Sequence, residues 1–132
     1  MTEETKEKKE EKAIQEEKLP EDMSLESMLL RQRVWKTYKI TSGLTVVFQS
    51  LLAKELNEIT PATTISANEY MLKYLAYSIK QFGNDDWSNL AFDTRFEKVK
   101  NLPVPIVDKL IDLVTTFRTE CENLLKEDIK KK

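Results

Sequence analysis

The pattern of apolar and polar positions changes period along this chain, and each change marks a different predicted element. Residues 24–35 carry apolar side chains at the three- and four-residue spacing of a short helix. Between residues 38 and 48, apolar and polar residues alternate on both sides of Ser42-Gly43. Alternation on either side of a turn that contains glycine predicts a β-hairpin near residues 38–48.

Helical spacing returns after the hairpin. The sequence Ser66-Ala67-Asn68-Glu69 is a capping box, in which the serine hydroxyl and the glutamate carboxylate satisfy backbone N–H groups at a helix start. Gly83 stands where a glycine that terminates this helix is expected. The helices predicted after the hairpin cover residues 51–59, 67–82, 94–101 and 105 to about 125.

These elements predict a mainly α fold with one small β-hairpin, arranged as a compact single-domain helical bundle. Residues 1–22 consist largely of glutamate and lysine, and they bury too little apolar surface to offset the entropy of ordering. We therefore expect a disordered charged tail over 1–22, with a segment that orders on a partner as the alternative. The helical domain is expected over 23–126, followed by a lysine-rich end at 127–132.

The chain offers little for catalysis. It has no histidine and one cysteine, Cys121, on the apolar face of the last predicted helix. A thiol in that position without a histidine partner is expected to be a buried structural residue rather than a nucleophile. Paired acids such as Asp85-Asp86 lack the spacing of a calcium loop. We therefore predict no catalytic residues, no metal site, no cofactor and no enzymatic activity.

Composition also sets expectations for location and partners. A single cysteine fits a reducing compartment. No stretch approaches the roughly 20 apolar residues of a membrane span, and no apolar signal segment stands at the N-terminus. We expect a cytoplasmic protein without a membrane partner. The net charge of −2 at pH 7 does not favour nucleic acid as a partner.

Two groups of residues keep nucleic acid open as an alternative. Tyr70, Tyr74 and Tyr77 recur on one predicted helix, where they would either stack on bases or pack against neighbouring helices with their hydroxyls at the rim. The second group is a basic cluster that would either contact phosphate or form a charged rim around the hairpin. Its members are Arg31, Arg33, Lys36 and Lys39.

Most of the chain carries a resemblance to a known family. The run Arg31-Gln-Arg-Val-Trp-Lys-Thr-Tyr38 leads into Ile40-Thr-Ser-Gly-Leu-Thr-Val-Val-Phe48 and then Ala53-Lys-Glu-Leu56. Later, Arg95-Phe-Glu-Lys-Val-Lys-Asn-Leu-Pro103 precedes Ile106-Val-Asp-Lys-Leu-Ile111. This pattern resembles the small tail assembly chaperones of tailed bacteriophages. The resemblance implies a non-enzymatic protein in the cytoplasm of a bacterial host, which binds the tape measure protein or another tail or baseplate protein during assembly.

Three functions remain open at this point. The charged tail is not part of the chaperone pattern, which keeps a structural component of a phage tail, baseplate or head–tail connector as an alternative. A small nucleic-acid-binding regulator is the third, and a homo-oligomer is left open for each. Large aromatic side chains that a small core leaves partly uncovered often mark partner sites. On this basis the candidate partner-binding residues are Trp35, Tyr38, Phe48, Tyr70, Tyr74, Tyr77 and Trp87.

Overall fold

A five-stranded antiparallel sheet forms the centre of the fold. The computed structural model describes residues 19–60 and 66–131, with side chains through residue 126. The strands lie beside one another in chain order, as a meander. They are β1 (Glu21–Asp22), β2 (Trp35–Thr41), β3 (Leu44–Gln49), β4 (Ile79–Phe82) and β5 (Asp85–Asp86).

Helices connect the strands and follow the sheet. In the described part of the chain they are α1 (Leu25–Leu30), α2 (Ala53–Ile59), α3 (Ala67–Ser78), α4 (Phe92–Lys100) and α5 (Val104–Lys131). α3 packs against α2, α4 and α5, and α5 also packs against β2. α3 also contacts β3 and β4.

The alternation of β2 and β3 determines which residues face α5. Tyr38 pairs with Val46 across the hairpin, and Lys36 pairs with Phe48. The rings of Tyr38 and Phe48 both approach the ring of Phe117 in α5. Buried apolar residues from the sheet and helices form a single core with these rings. Its members are Val34, Ile40, Val46, Phe48, Leu75, Ala76, Ile79, Trp87, Val99, Leu110, Val114 and Phe117.

The prediction of a mainly α bundle with one small hairpin is wrong, because the hairpin belongs to a five-stranded sheet. The predicted helix over residues 67–82 ends at Ser78, and the chain continues as β4 beside β3. Ile79 and Phe82 are three residues apart, which fits the apolar face of a helix. In the sheet they pair with Phe48 and Val46, and a register shift accommodates the three-residue spacing. Spacing alone therefore could not separate a helix from this irregular strand.

A buried arginine explains why α3 ends where it does. Arg95 in α4 is 6% exposed, and its guanidinium donates hydrogen bonds to the carbonyl oxygens of Ala76 at 3.1 Å and Ile79 at 2.8 Å. It also donates to the carbonyl oxygens of Trp87 and Leu90. The last carbonyl groups of a helix have no partner within the helix. Arg95 supplies that partner from a different element, so the signal for the helix end lies outside α3.

Gly83 has a different role from the predicted helix terminator. It lies in the turn between β4 and β5 with a φ of +58°, a conformation that glycine adopts at little cost. After this turn, Asp85 and Asp86 form β5, which pairs with β4.

The two ends of the chain differ in how much is described. Most of the predicted disordered tail, residues 1–18, lies outside the described residues. The last two residues of that tail, Glu21 and Asp22, form β1 and pair with Lys36 and Trp35. At the other end, α5 continues through most of the predicted lysine-rich end, to Lys131.

Candidate protein-binding groove

The seven aromatic residues predicted to bind a partner do not form one surface. Phe48 is 0% exposed and Trp87 is 2% exposed, so both are core residues. The ring centroid of Tyr38 lies 5.8 Å from that of Phe48 and 6.2 Å from that of Phe117. Burial and the neighbouring carboxylate of Glu120 raise the pKa of the Tyr38 phenol. Phe48 and Trp87 therefore lie in the interior, and Tyr38 is half-buried against the core.

The three tyrosines of α3 are half-buried among other side chains. The rings of Tyr70 and Tyr74 have centroids 6.3 Å apart. Tyr77 stacks on Phe92 at 4.5 Å, and its hydroxyl donates a hydrogen bond to Glu58. Burial and that hydrogen bond raise the pKa of Tyr77 to about 12. Packing thus occupies much of the surface of these rings.

Trp35 lies apart from the other six. The next residue on β2, Lys36, reaches Glu120 of α5, so strand alternation places Trp35 on the opposite face of the sheet. There the ammonium of Lys80 is 5.5 Å from the ring centroid, within the range of a cation–π contact.

Carboxylates of this chain pair with Arg31, Arg33 and Lys36 of the predicted basic cluster. The N···O distances are 3.1 Å for Arg31–Asp22, 2.8 Å for Arg33–Glu55 and 2.7 Å for Lys36–Glu120. Phosphate binding depends on cations that are free to neutralise it. The pairs therefore weaken the observation that kept nucleic acid open as an alternative.

An open apolar groove of about 300 Å³ lies between α1, the connection from β3 to α2, and the C-terminal half of α5. We call it the leucine groove. Aliphatic and aromatic side chains line most of it, and polar groups stand among them. The lining residues are Met28, Gln32, Ser50, Leu51, Leu52, Ala53, Leu56, Tyr74, Phe117, Arg118, Cys121, Glu122 and Leu125. Of the seven predicted partner contacts, Tyr74 alone is in this set.

An ion pair holds the α2 side of the leucine groove. The guanidinium of Arg33 donates hydrogen bonds to both carboxylate oxygens of Glu55, at 2.9 and 2.8 Å, and to the carbonyl oxygen of Ser50 at 2.7 Å. The same carboxylate accepts a hydrogen bond from the N–H of Leu52 at the start of α2. Burial opposes ionisation of Glu55, but these hydrogen bonds outweigh it and lower the pKa of its carboxyl. The leucines at the start of α2 are thereby fixed against β2.

The α1 side is built from a short capped helix and a tight turn. Ser24 caps α1 by accepting a hydrogen bond from the N–H of Ser27 at 3.0 Å. The hydroxyl of Ser27 donates to the carboxylate of Asp22 at 2.8 Å, which ties α1 to β1. After the helix, Gln32 adopts a φ of +67°, in the left-handed region that non-glycine residues rarely occupy. This turn places Met28 and Gln32 on the groove wall.

Three leucines in the described part of the chain are largely exposed to solvent, and of these Leu125 lines the groove. Leu29 is 71% exposed and Leu30 is 75% exposed, both in α1 beside Met28, and Leu125 in α5 is 50% exposed. The sequence contained a signal for this feature that periodicity analysis missed. Successive helical side chains are about 100° apart around the axis, so the three consecutive apolar residues of Met28-Leu29-Leu30 cannot share one buried face.

Cys121 lines the leucine groove but is not activated. Burial raises the pKa of its thiol to about 11, and the carboxylates of Glu120 and Glu122 contribute in the same direction. Reactive cysteines have the opposite shift, because the thiolate is the nucleophile. Among the described residues, no three histidine, cysteine or acidic side chains come together as metal ligands. No helix in the described part is both long enough and apolar enough to cross a membrane.

Comparison of the chain with protein-family models, with curated proteins and with solved structures finds no match. The chemistry of the leucine groove therefore has to be argued from its own residues.

Proposed function

We propose that this protein is a non-enzymatic tail assembly chaperone that binds an amphipathic helix of a phage tail protein, such as the tape measure protein, in the leucine groove. It acts in the cytoplasm of the bacterial host. The observation that carries the proposal is the groove itself, an open apolar concavity bordered by Leu125, which is half exposed. Exposing apolar surface of this kind to water is unfavourable in free energy, and a bound partner would remove that exposure.

The lining favours a helix as the bound segment. Leu51, Leu52 and Leu56 present aliphatic side chains in and beside α2, and an amphipathic helix docks by placing its apolar stripe on such a surface. The polar rim includes Arg118 and Glu122, which carry opposite charges. Those charges suit the polar flanks of an amphipathic helix, and they would orient it without requiring a buried ion pair.

The resemblance to tail assembly chaperones supplies the class of partner. A tape measure protein is long, helical and prone to aggregate while its apolar stripes are uncovered, and a chaperone would shield them reversibly until tail tube subunits replace it. A groove of about 300 Å³ accommodates only a few side chains. A contact of that size is typical of weak, reversible association.

Co-expression with a phage tape measure protein tests the proposal. We compare wild type with Leu125→Asp, which places a charge at the groove border, and with Val104→Asp as a matched control. Val104 is 71% exposed near the other end of α5 and does not line the groove. Circular dichroism confirms that each variant is folded.

We expect Leu125→Asp to reduce recovery of the tail protein in a pull-down at least about tenfold, because binding would then bury an unpaired charge against the apolar face of the bound helix. Val104→Asp should leave recovery unchanged. Equal recovery and equal tail-protein solubility with and without this chain would refute the proposal. Stable retention of the chain in mature particles would favour a structural component instead.

A further inference from the structure

We infer that Lys54 selects the helix that the leucine groove binds, by pairing with an acidic side chain at one end of that helix's apolar stripe. The inference rests on the proposed function, because it names the chemistry of the segment bound in the same groove. Its evidence is separate, since it comes from a surface beside the groove that the proposed function does not use.

A second open cavity, of about 510 Å³, adjoins the leucine groove. We call it the α2 extension. The residues that line both cavities are Met28, Gln32, Leu51, Leu52 and Ala53. The α2 extension has Lys54 as its one further lining residue, and its described lining contains no residue of α5. The groove therefore continues past α1 and the start of α2, away from α5, and Lys54 lies at that end.

The charges at the two ends of this surface differ. At the α5 end, the guanidinium of Arg118 lies 3.8 Å from the carboxylate of Glu122, so these two charges offset each other. Lys54 is exposed, and it forms no ion pair within the ranges that the structure describes. Among the described residues that line the groove and its extension, Lys54 thus carries the uncompensated charge, and that charge is positive.

The acids of α2 nearest to Lys54 are held by other side chains. Glu55 pairs with Arg33. Glu58 is four residues after Lys54, the spacing of an ion pair within a helix, but it accepts a hydrogen bond from the hydroxyl of Tyr77. A cation in the first turn of a helix is also unfavourable with respect to the helix dipole. Lys54 therefore adds little to the stability of α2, and its ammonium is available to an anion of a bound partner.

This arrangement specifies the bound segment. An amphipathic helix that lies along the groove and the α2 extension places its apolar stripe on the leucines of α2 and one end of that stripe at Lys54. Opposite charges at the rim of an interface select a partner more than they add affinity. Glutamate or aspartate is favoured at that end of the bound helix, and lysine or arginine is disfavoured. The charge thus distinguishes between partners that have similar apolar stripes.

Synthetic helical peptides that share one leucine stripe test the inference. One peptide carries glutamates at its N-terminal end, another carries them at its C-terminal end, and a neutral peptide has glutamines in both places. Fluorescence anisotropy measures their affinity for the full chain as wild type, Lys54→Gln and Lys54→Glu. Lys109→Gln is the matched control, because it removes an exposed lysine that lines neither cavity. Circular dichroism confirms that each variant is folded.

We expect wild type to bind one of the acidic peptides at least about threefold more tightly than the neutral peptide. Lys54→Gln should remove that preference, and Lys54→Glu should reverse it, because the carboxylates then meet a like charge. Lys109→Gln should keep the wild-type preference. The same peptides are used with every variant, so differences in their own helix content cancel in the comparison.

Three results would overturn the inference: no binding of either acidic peptide by wild type, no preference for either over the neutral peptide, or the same preference in Lys54→Gln. The pull-down of the tape measure protein judges the proposed function separately. If Leu125→Asp abolishes that pull-down while Lys54→Glu keeps the wild-type peptide preference, the inference fails and the proposed function stands. If the peptides bind as expected but wild type never recovers the tape measure protein, the proposed function fails and the inference about Lys54 stands.

Discussion

Arg33 and Glu55, which are 22 residues apart in sequence, form a bidentate ion pair with N···O distances of 2.9 and 2.8 Å. The pair joins the segment just before β2 to the first turn of α2. It also fixes Ser50 and Leu52, whose backbone groups hydrogen bond to the same two side chains. The α2 wall of the leucine groove therefore depends on a single charged contact.

Replacing Glu55 with Gln should lower the free energy of unfolding by about 1.5–3 kcal/mol at pH 7, because Arg33 loses its charged partner. Urea unfolding measures this change. Glu26→Gln, an exposed acid in α1, is the control and should change stability by less than about 0.5 kcal/mol.

The effect of Glu55 should depend on pH in a defined direction. The pKa of its carboxyl is lowered from 4.5 in the folded protein. The stabilisation that ionised Glu55 provides is therefore complete at pH values well above 4.5, and it is lost as pH falls below 4.5. The stability difference between wild type and Glu55→Gln should therefore shrink between about pH 5 and pH 3. A difference that stays constant across this window would contradict the role assigned to the ion pair.

Replacing Arg95 with Lys should lower the free energy of unfolding by about 2–4 kcal/mol, although the charge is kept. The planar guanidinium reaches four carbonyl oxygens, on Ala76, Ile79, Trp87 and Leu90, and an ammonium cannot replace that geometry. Urea unfolding with Thr94→Ala, an exposed neighbour, as the control tests this. Equal stability of the Lys variant would show that Arg95 does not terminate α3.

The two glycines of the sheet turns should respond differently to alanine. Gly83 has a φ of +58°, and an added Cβ would lie 3.2 Å from Cδ1 of Leu44, so Gly83→Ala should cost about 1–2 kcal/mol. Gly43 has no heavy atom within 4 Å of an added Cβ and no positive φ. Gly43→Ala should be neutral within about 0.5 kcal/mol. Thermal unfolding of both variants measures the contrast, and equal losses would contradict the strained turn at Gly83.

Cys121 should react slowly with iodoacetamide at neutral pH. Its thiol pKa is raised to about 11 by burial and by two adjacent carboxylates, so the thiolate is scarce at pH 7 to 8. The rate should be at least about tenfold below that of a free thiol of pKa about 8.5 at pH 8, and it should keep rising up to about pH 11. A rate that levels off near pH 8.5 would show that the thiol is exposed to solvent and that its pKa is not raised.

Local sequence signals were sufficient for parts of the fold. The hairpin is present with the predicted turn at Ser42-Gly43, because alternation and turn chemistry act over a few residues. The capping box at Ser66 is also present, with the serine accepting a hydrogen bond from the N–H of Glu69 at 3.1 Å.

The elements that were mispredicted depend on contacts distant in sequence. The residues of β4 carry a spacing that a helix and an irregular strand both satisfy, and Arg95, from α4, ends α3. β1 has two residues in a highly charged segment and is defined only by its pairing with β2. The leucine groove requires Arg33 to meet Glu55, and no local pattern contains that contact. Aromatic content did not distinguish surface from core, because Phe48 and Trp87 are core residues.

Alkylation of Cys121 in the presence of the tail protein tests the central claim most directly. It is the single cysteine of the chain and lines the leucine groove, so its reaction rate reports on the groove alone. The measurement is made at about pH 9 so that the reaction is measurable. The account predicts that the tape measure protein slows alkylation at least about tenfold in wild type and has no effect in Leu125→Asp. An unchanged rate in wild type, in a mixture where a pull-down shows the two proteins bound, would contradict it.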